Sequence, residues 1–154
     1  MLGWIAMESG VQNLRKFETA CRKAGLKVTH QRLEIYRELL QSRDHPTAEA
    51  IHRRLKIKLP TISLDTVYRT LATLAEQGLI SRVETIESLA RFEVMVVPHH
   101  HLICRRCGHI ADFCWTSIDT APLPDSVGDW GRVEHKNVVV YGTCKDCLLA
   151  EVEP

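Results

Sequence analysis

The sequence predicts an α+β protein in two parts: an N-terminal winged helix-turn-helix domain and a small C-terminal α+β domain stapled by zinc. Three observations predict it. Helical periodicity runs through four segments and gives way to two short β-rich runs before residue 98. Two Cys-x-x-Cys pairs, Cys104/Cys107 and Cys144/Cys147, stand 36 residues apart near the C-terminus. The charge is also divided, with 14 Lys+Arg against 9 Asp+Glu in residues 1–85 and 6 against 10 in residues 86–154. A basic half joined to an acidic half points to nucleic acid as the partner of the first. The expected boundaries are 1–92 for the winged-helix domain, 93–98 for a hinge at Val96-Val97-Pro98, and 99–154 for the second domain.

Each element has a local reason. "QNLRKFETACRKA", residues 12–24, has helical spacing and stops at Gly25. Thr29 caps a second helix to about Leu40, with Leu33, Tyr36, Leu39 and Leu40 on one face. His45-Pro46 breaks the pattern, and Thr47 caps a third helix over 48–58 with Ala50, Ile51 and Leu55 inward. Ser63 starts the fourth, "LDTVYRTLATLAEQ", in which Val67, Leu71 and Leu74 form the buried stripe and Gly78 ends the helix. "LISRVET" and "ARFEVMVV" read as the hairpin of a wing, joined by "IES". Beyond the hinge, "HLICRRCGHIADF" reads as two strands around a turn at Cys107-Gly108, "TSIDTAPLPDSVGDW" as at most a short helix, and "EHKNVVVYGTC" as a strong strand.

No apolar run is long enough to span a membrane. "MLGWIAMESG" lacks the basic leader and cleavage site of a secretory signal, so a cytoplasmic location is expected. In a reducing compartment six cysteines are metal ligands before they are disulfides. Cys104, Cys107, Cys144 and Cys147 follow predicted strands, and four thiolates suit a tetrahedral, closed, structural Zn2+. Cys21 and Cys114 fall outside that pattern.

The histidines supply a second chemistry. On an extended segment His99 and His101 point to one face and His100 to the other. Glu93 and Asp112 are within reach of the same space, and His45 adds a donor from the basic half. Nitrogen and oxygen donors without thiolate suit Fe2+, Mn2+ or Zn2+. His30, His52 and His109 read as ordinary surface or satisfied core residues. The carboxylate-plus-open-zinc patterns of hydrolases and deaminases, His-Glu-x-x-His or His-x-Glu with Pro-Cys-x-x-Cys, do not occur. The alternatives are thus a zinc-dependent enzyme without its base, or a zinc-ribbon adaptor that leaves the histidines and the basic half unused.

"KAGLKVTHQRLEIY", "HPTAEAIHRRL", "ISLDTVYRTLATLAEQGLI", "RFEV", "HHHLICRRCGHIADF" and "VVVYGTCKDC" together resemble the ferric uptake regulator superfamily of bacterial metal-dependent repressors. The resemblance implies a homodimer on double-stranded operator DNA and not an enzyme. It implies structural Zn2+ on Cys104, Cys107, Cys144 and Cys147, and regulatory Fe2+ or Mn2+ on His45, Glu93, His99, His101 and Asp112. Asp112, "HPTAE" and "YGTCKDC" resemble the peroxide-sensing branch, in which His45 or His99 would be oxidised. Glu93 resembles the iron-responsive branch, which is the alternative.

For DNA, Thr66, Tyr68, Arg69 and Thr73 are the non-stripe positions of the fourth helix. Tyr68 and Arg69 match the family's contacting positions, with Arg15 and Arg32 as added backbone or minor-groove charge. A third metal site found in some members would fall near His100, Asp112 and His135, but Pro98 stands where that site has a histidine. The family's long helix after Asp112 is interrupted here by Pro122, Pro124 and Gly128.

Overall fold

The computed structural model describes residues 2–85, 89–95 and 97–151, with side chains described from residue 10 onward. The expected wing turn at 86–88 and Val96 of the expected hinge lie outside the described residues. The chain divides into two compact units, Met1–Met95 and Val96–Pro154.

The first unit contains α1 (Leu2–Lys23), α2 (His30–Gln41), α3 (Ala48–Leu55), α4 (Leu64–Glu76) and a two-stranded antiparallel sheet of β1 (Ser81–Val83) and β2 (Arg91–Glu93). The helices begin where oxygen side chains satisfy amides that have no partner within the helix. Thr29 accepts from the Arg32 amide, Thr47 from Ala50 and Ser63 from Thr66, at 3.2, 3.2 and 3.1 Å. Two helices end on glycines with positive φ, Gly25 at 71° and Gly78 at 68°. Beyond each, the chain turns back so that Leu26 N–H donates to Cys21 O and Leu79 N–H to Leu74 O.

Phe17 and Cys21 of α1, Ile35, Tyr36 and Leu39 of α2, Ile51 and Leu55 of α3, and Val67, Leu71 and Leu74 of α4 form one core closed by Ile80 and Phe92. Phe17 stacks on Tyr36 with ring centroids 3.8 Å apart. The expected stripe of α4 is buried without change. The face of α2 is rotated: Ile35 is buried and Leu33 and Leu40 only partly so, because α2 packs against α1, α3 and α4 at once. In α3, Ala48 and not Ala50 faces inward, and the helix stops at Leu55. α1 starts ten residues earlier than its periodicity implied, since no proline interrupts 2–11.

The second unit is a three-stranded sheet in the order β4-β3-β5, made of β3 (His100–Cys104), β4 (Ile110–Phe113) and β5 (Val139–Gly142). β3 pairs antiparallel with β4 around a turn at Gly108 (φ 71°), and parallel with β5. β5 is shorter than its apolar run suggested because a ladder extends only as far as its partner, and β3 begins at His100. The proline-interrupted stretch holds only α5 (Thr116–Thr120) and a single 3-10 turn at Asp125–Val127. α6 (Lys145–Leu149) closes the unit. Among the described residues the buried apolar side chains here are few, chiefly Ile103, Cys104 and Ile110. No described helix is long and apolar enough to cross a membrane.

Leu71, fully buried at the centre of the first core, sets the scale of its stability. Leu71→Ala is expected to cost about 3 kcal/mol, and Gly78→Ala about 1 kcal/mol through its left-handed backbone. Urea denaturation of the metal-loaded protein measures both. Equal losses at the two sites would contradict this packing.

Candidate metal centres and the exposed face of α4

Parallel pairing explains why distant cysteines meet. Cys104 ends β3 opposite Gly142, the end of β5, so both strands leave the sheet at the same end. Each then makes a Cys-x-x-Cys turn, the second capping α6 with Cys144. The Sγ atoms of Cys104 and Cys147 lie 3.9 Å apart, those of Cys107 and Cys144 3.6 Å, and all four within 4.8 Å of one another. A tetrahedron of thiolates at about 2.3 Å from zinc has edges of about 3.8 Å, so the four sulfurs fit that ion.

Their electrostatics argue the same way. Amide hydrogen bonds from Cys107 and then Cys144 bring the Cys104 thiol down to about 6, and the Cys144 amide lies 3.3 Å from its sulfur. Hydrogen bonds with Cys144 and then Cys107 push Cys147 up to about 12. The His109 amide favours the Cys107 thiolate, but the neighbouring Cys104 and Cys144 thiols outweigh it and its pKa is raised. A dication is what lets all four ionise together. Arg106 fastens α6 beside the cluster, donating to Cys147 O at 3.2 Å and pairing with Glu151. Cys21 is buried in the first core, where burial raises its pKa, and Cys114 is exposed.

Nitrogen and oxygen donors gather in each unit. In the first, His45 Nε2 lies 3.0 Å from Glu93 Oε2, with both residues buried. His45 precedes α3 and Glu93 ends β2. Arg91, which sequence reasoning did not single out, donates from Nη1 to His45 O at 3.3 Å. In the second unit His99 and His101 lie edge to face with centroids 4.9 Å apart, and each Nε2 is 3.7 Å from Asp112 Oδ1. Register is the cause, since His101 stands opposite Asp112 across the β3–β4 ladder. His99 Nδ1 donates to Val97 O at 2.8 Å, which leaves its Nε2 as the lone-pair nitrogen. Two ligand atoms each about 2.1 Å from one ion lie at most about 4.2 Å apart, so the donors within each unit are spaced to suit a divalent metal.

His100 corrects an expectation. It points to the opposite face of β3 from His101, and therefore from Asp112. Val138 N–H donates to its Nδ1 at 3.1 Å, and its Nε2 faces Asp119 Oδ1 at 3.2 Å, off-line for a hydrogen bond. His135 is exposed. Asp119 in α5, not Asp112, is the carboxylate beside His100. No motif marked it, because its partner is found only once α5 folds back on the sheet. His52 is satisfied by Ile62 O at 3.1 Å.

On α4, Val67 is fully buried while Tyr68 is 43% exposed, so Tyr68 does not pack inward beside it. Its hydroxyl donates to Glu49 in the first turn of α3, which holds the Glu49 carboxyl below its usual range and the Tyr68 phenol above its own. Arg69 is exposed, 3.8 Å from Asp65. Arg32, Thr66, Arg69, Thr70 and Thr73 line one polar concavity. Arg15 shares an exposed stretch of α1 with Lys16 and Lys23. Glu49 and Thr70 adjoin the expected residues, although the sequence did not single them out.

Residues 23–131 match the ferric uptake regulator family. The chain is 36% identical over 142 residues to the peroxide-responsive repressor PerR of Staphylococcus epidermidis, covering 92% of this chain and 94% of that one. It is 33% identical over 144 residues to PerR of Staphylococcus aureus, covering 93% and 97%. Among solved structures it resembles the ferric uptake regulator of Helicobacter pylori, at 28% identity, 90% and 93% coverage and a TM-score of 0.74. It also resembles PerR of Streptococcus pyogenes, at 29% identity, 87% and 92% coverage and a TM-score of 0.51. The match spans most of the chain, and the chain belongs to the ferric uptake regulator family.

Proposed function

We propose that the protein is a metal-dependent transcriptional repressor that binds operator DNA as a homodimer in the cytoplasm and releases it on exposure to hydrogen peroxide. The observation that carries this reading is the separation of donor chemistries. Four cysteine sulfurs gather at one end of the sheet, and the remaining donors, His45 with Glu93 and His99 with His101 and Asp112, contain no sulfur. Neither nitrogen-oxygen group is large enough to fill the shell of a metal such as Mn2+ alone. The two groups close on one Fe2+ or Mn2+, which ties the winged helix to the second unit and favours the DNA-binding arrangement. Relatives named as peroxide-responsive repressors support the branch.

Within this reading each residue has a task. Cys104, Cys107, Cys144 and Cys147 hold Zn2+ that is not exchanged during signalling. His45, Glu93, His99, His101 and Asp112 hold the regulatory ion. The Asp112 side chain, 46% exposed, leaves an approach for a small oxidant. Fe2+ held by these residues would supply one-electron chemistry toward peroxide that Mn2+ does not readily supply, with the imidazole as the net two-electron reductant. In net terms one oxygen passes to an imidazole carbon of His45 or His99, and the other leaves as water with the displaced protons. The altered ring no longer ligates, and the protein is consumed without turnover, so it is not an enzyme. Tyr68 meets thymine methyls, Arg69 a phosphate or guanine edge, Thr66 and Thr73 the flanking backbone, and Arg15 and Arg32 add phosphate or minor-groove contacts. The second reading, an iron-responsive repressor, is favoured by Glu93 and by the likeness to the Helicobacter pylori regulator.

The Fe2+-loaded protein is expected to lose DNA binding within minutes at low peroxide and to gain one oxygen on a peptide containing His45 or His99. The Mn2+-loaded protein keeps binding, and Asp112→Glu blunts the peroxide response while sparing metal-dependent binding. Gel shift with peptide mass spectrometry reads all of this. Unmodified histidines in a peroxide-resistant iron form would select the iron-responsive reading.

Footprinting is expected to show a two-fold-symmetric, AT-rich site whose affinity falls as salt rises. Tyr68→Ala and Arg69→Ala should each weaken it by about 1–3 kcal/mol. Unchanged affinity in both variants would remove α4 as the reading helix.

Cys104→Ser and Cys144→Ser should lose the zinc and most of the dimer. Elemental analysis and sedimentation measure this, and full zinc with a normal dimer would reject the thiolate site.

A further inference from the structure

We propose that Arg91 is a positioning residue for His45, setting the affinity of the regulatory metal by holding the backbone from which that imidazole projects. The inference rests on the reading of His45 as a ligand. His45 has φ 47°, the one positive φ outside glycine among the described residues. It also precedes Pro46, and a residue before proline is driven toward extended backbone. Both the side chain and the following ring therefore oppose the conformation that His45 adopts.

What opposes that strain comes from β2. Phe92 N–H donates to Pro46 O at 3.1 Å, and Arg91 bridges to Thr47 through the backbone. Arg91 and Glu93 are two apart on one strand and project to the same side. Arg91 Nη1 takes the His45 carbonyl at 3.3 Å, and Glu93 Oε2 takes its imidazole at 3.0 Å. The carbonyl bond fixes the peptide from which the ring projects, and the ring itself is buried with 3% exposure. Removing the guanidinium lets the 45–46 segment relax toward extended backbone and carries the imidazole away from Glu93.

The sign of the effect separates positioning from simple charge. A cation placed two residues from a metal ligand repels the metal, so if Arg91 acted through its field alone its removal would tighten binding. Positioning predicts the reverse. Outer partners of metal ligands commonly change affinity by about 10–100-fold.

Mn2+ titration of the zinc-loaded, full-length protein is the test, alongside zinc content and the melting midpoint of the protein before Mn2+ is added. Arg91→Ala should weaken Mn2+ binding at least about 10-fold with zinc content unchanged. Arg91→Lys, which keeps the charge and one donor, should fall between it and the parent. If Arg91→Ala does not fold, Arg91→Lys and Arg91→Gln carry the comparison, and both should bind Mn2+ more weakly. Equal or tighter binding in the folded variants overturns the proposal. Weakening in His45→Ala but not in the Arg91 variants overturns the proposal alone. An unchanged affinity in His45→Ala overturns the ligand reading of His45 and the Arg91 proposal with it.

Discussion

The parallel pairing of β3 with β5 is the constraint on which the second unit depends. It stops two strands level with each other at Cys104 and Gly142, and so converts two pairs of cysteines far apart in the chain into one cluster. Little else holds this unit, because its buried apolar side chains are few and its longest connection is broken by prolines. A small core gains most from a metal staple, since the bound ion adds its binding free energy to folding. The same strand carries His101 at its other end, paired across the ladder with Asp112. A fault at the thiolates is therefore felt in the register of the histidines, although the two sets share no atom.

The first unit solves a different problem with α3. His45 stands just before Thr47, the cap of that helix, and Glu49 in its first turn accepts from Tyr68 on α4. One short helix thus has His45 at its entrance and a restraint on α4 one turn later. Its burial through Ala48, Ile51 and Leu55 makes it a rigid link. Packed side chains and the Tyr68–Glu49 hydrogen bond connect α3, which starts just after the 45–47 segment, to α4.

Much of this was legible in the sequence, and the boundary of what was legible has a physical form. Caps at Thr29, Thr47 and Ser63, and glycine stops at 25 and 78, are local chemistry, and each stands where its own side chain implied. The cysteine spacing with strand ends was enough to group Cys104, Cys107, Cys144 and Cys147. Alternation along β3 was enough to separate His100 from His99 and His101. What failed depended on contacts between elements. The buried face of α2 turns because three helices press on it, β5 is trimmed by the length of its neighbour, and Asp119 meets His100 only through the fold of α5. Arg91 was invisible for the same reason, because its target is a carbonyl 46 residues away.

The two donor chemistries also sort metals by position. At about 3.3 Å per residue, His101 and Cys104 are separated by about 10 Å along β3, too far for any ion to take ligands from both ends. Thiolates at one end select a soft or borderline ion and, once four are ionised, hold it against exchange. Imidazole and carboxylate at the other end accept harder ions and bind them less tightly, so that this set of donors exchanges its ion more readily than the thiolates do. A sensor needs that inequality. If the thiolates exchanged as readily as the imidazoles, the frame that keeps His101 opposite Asp112 would loosen under the very conditions in which the regulatory ion must be read.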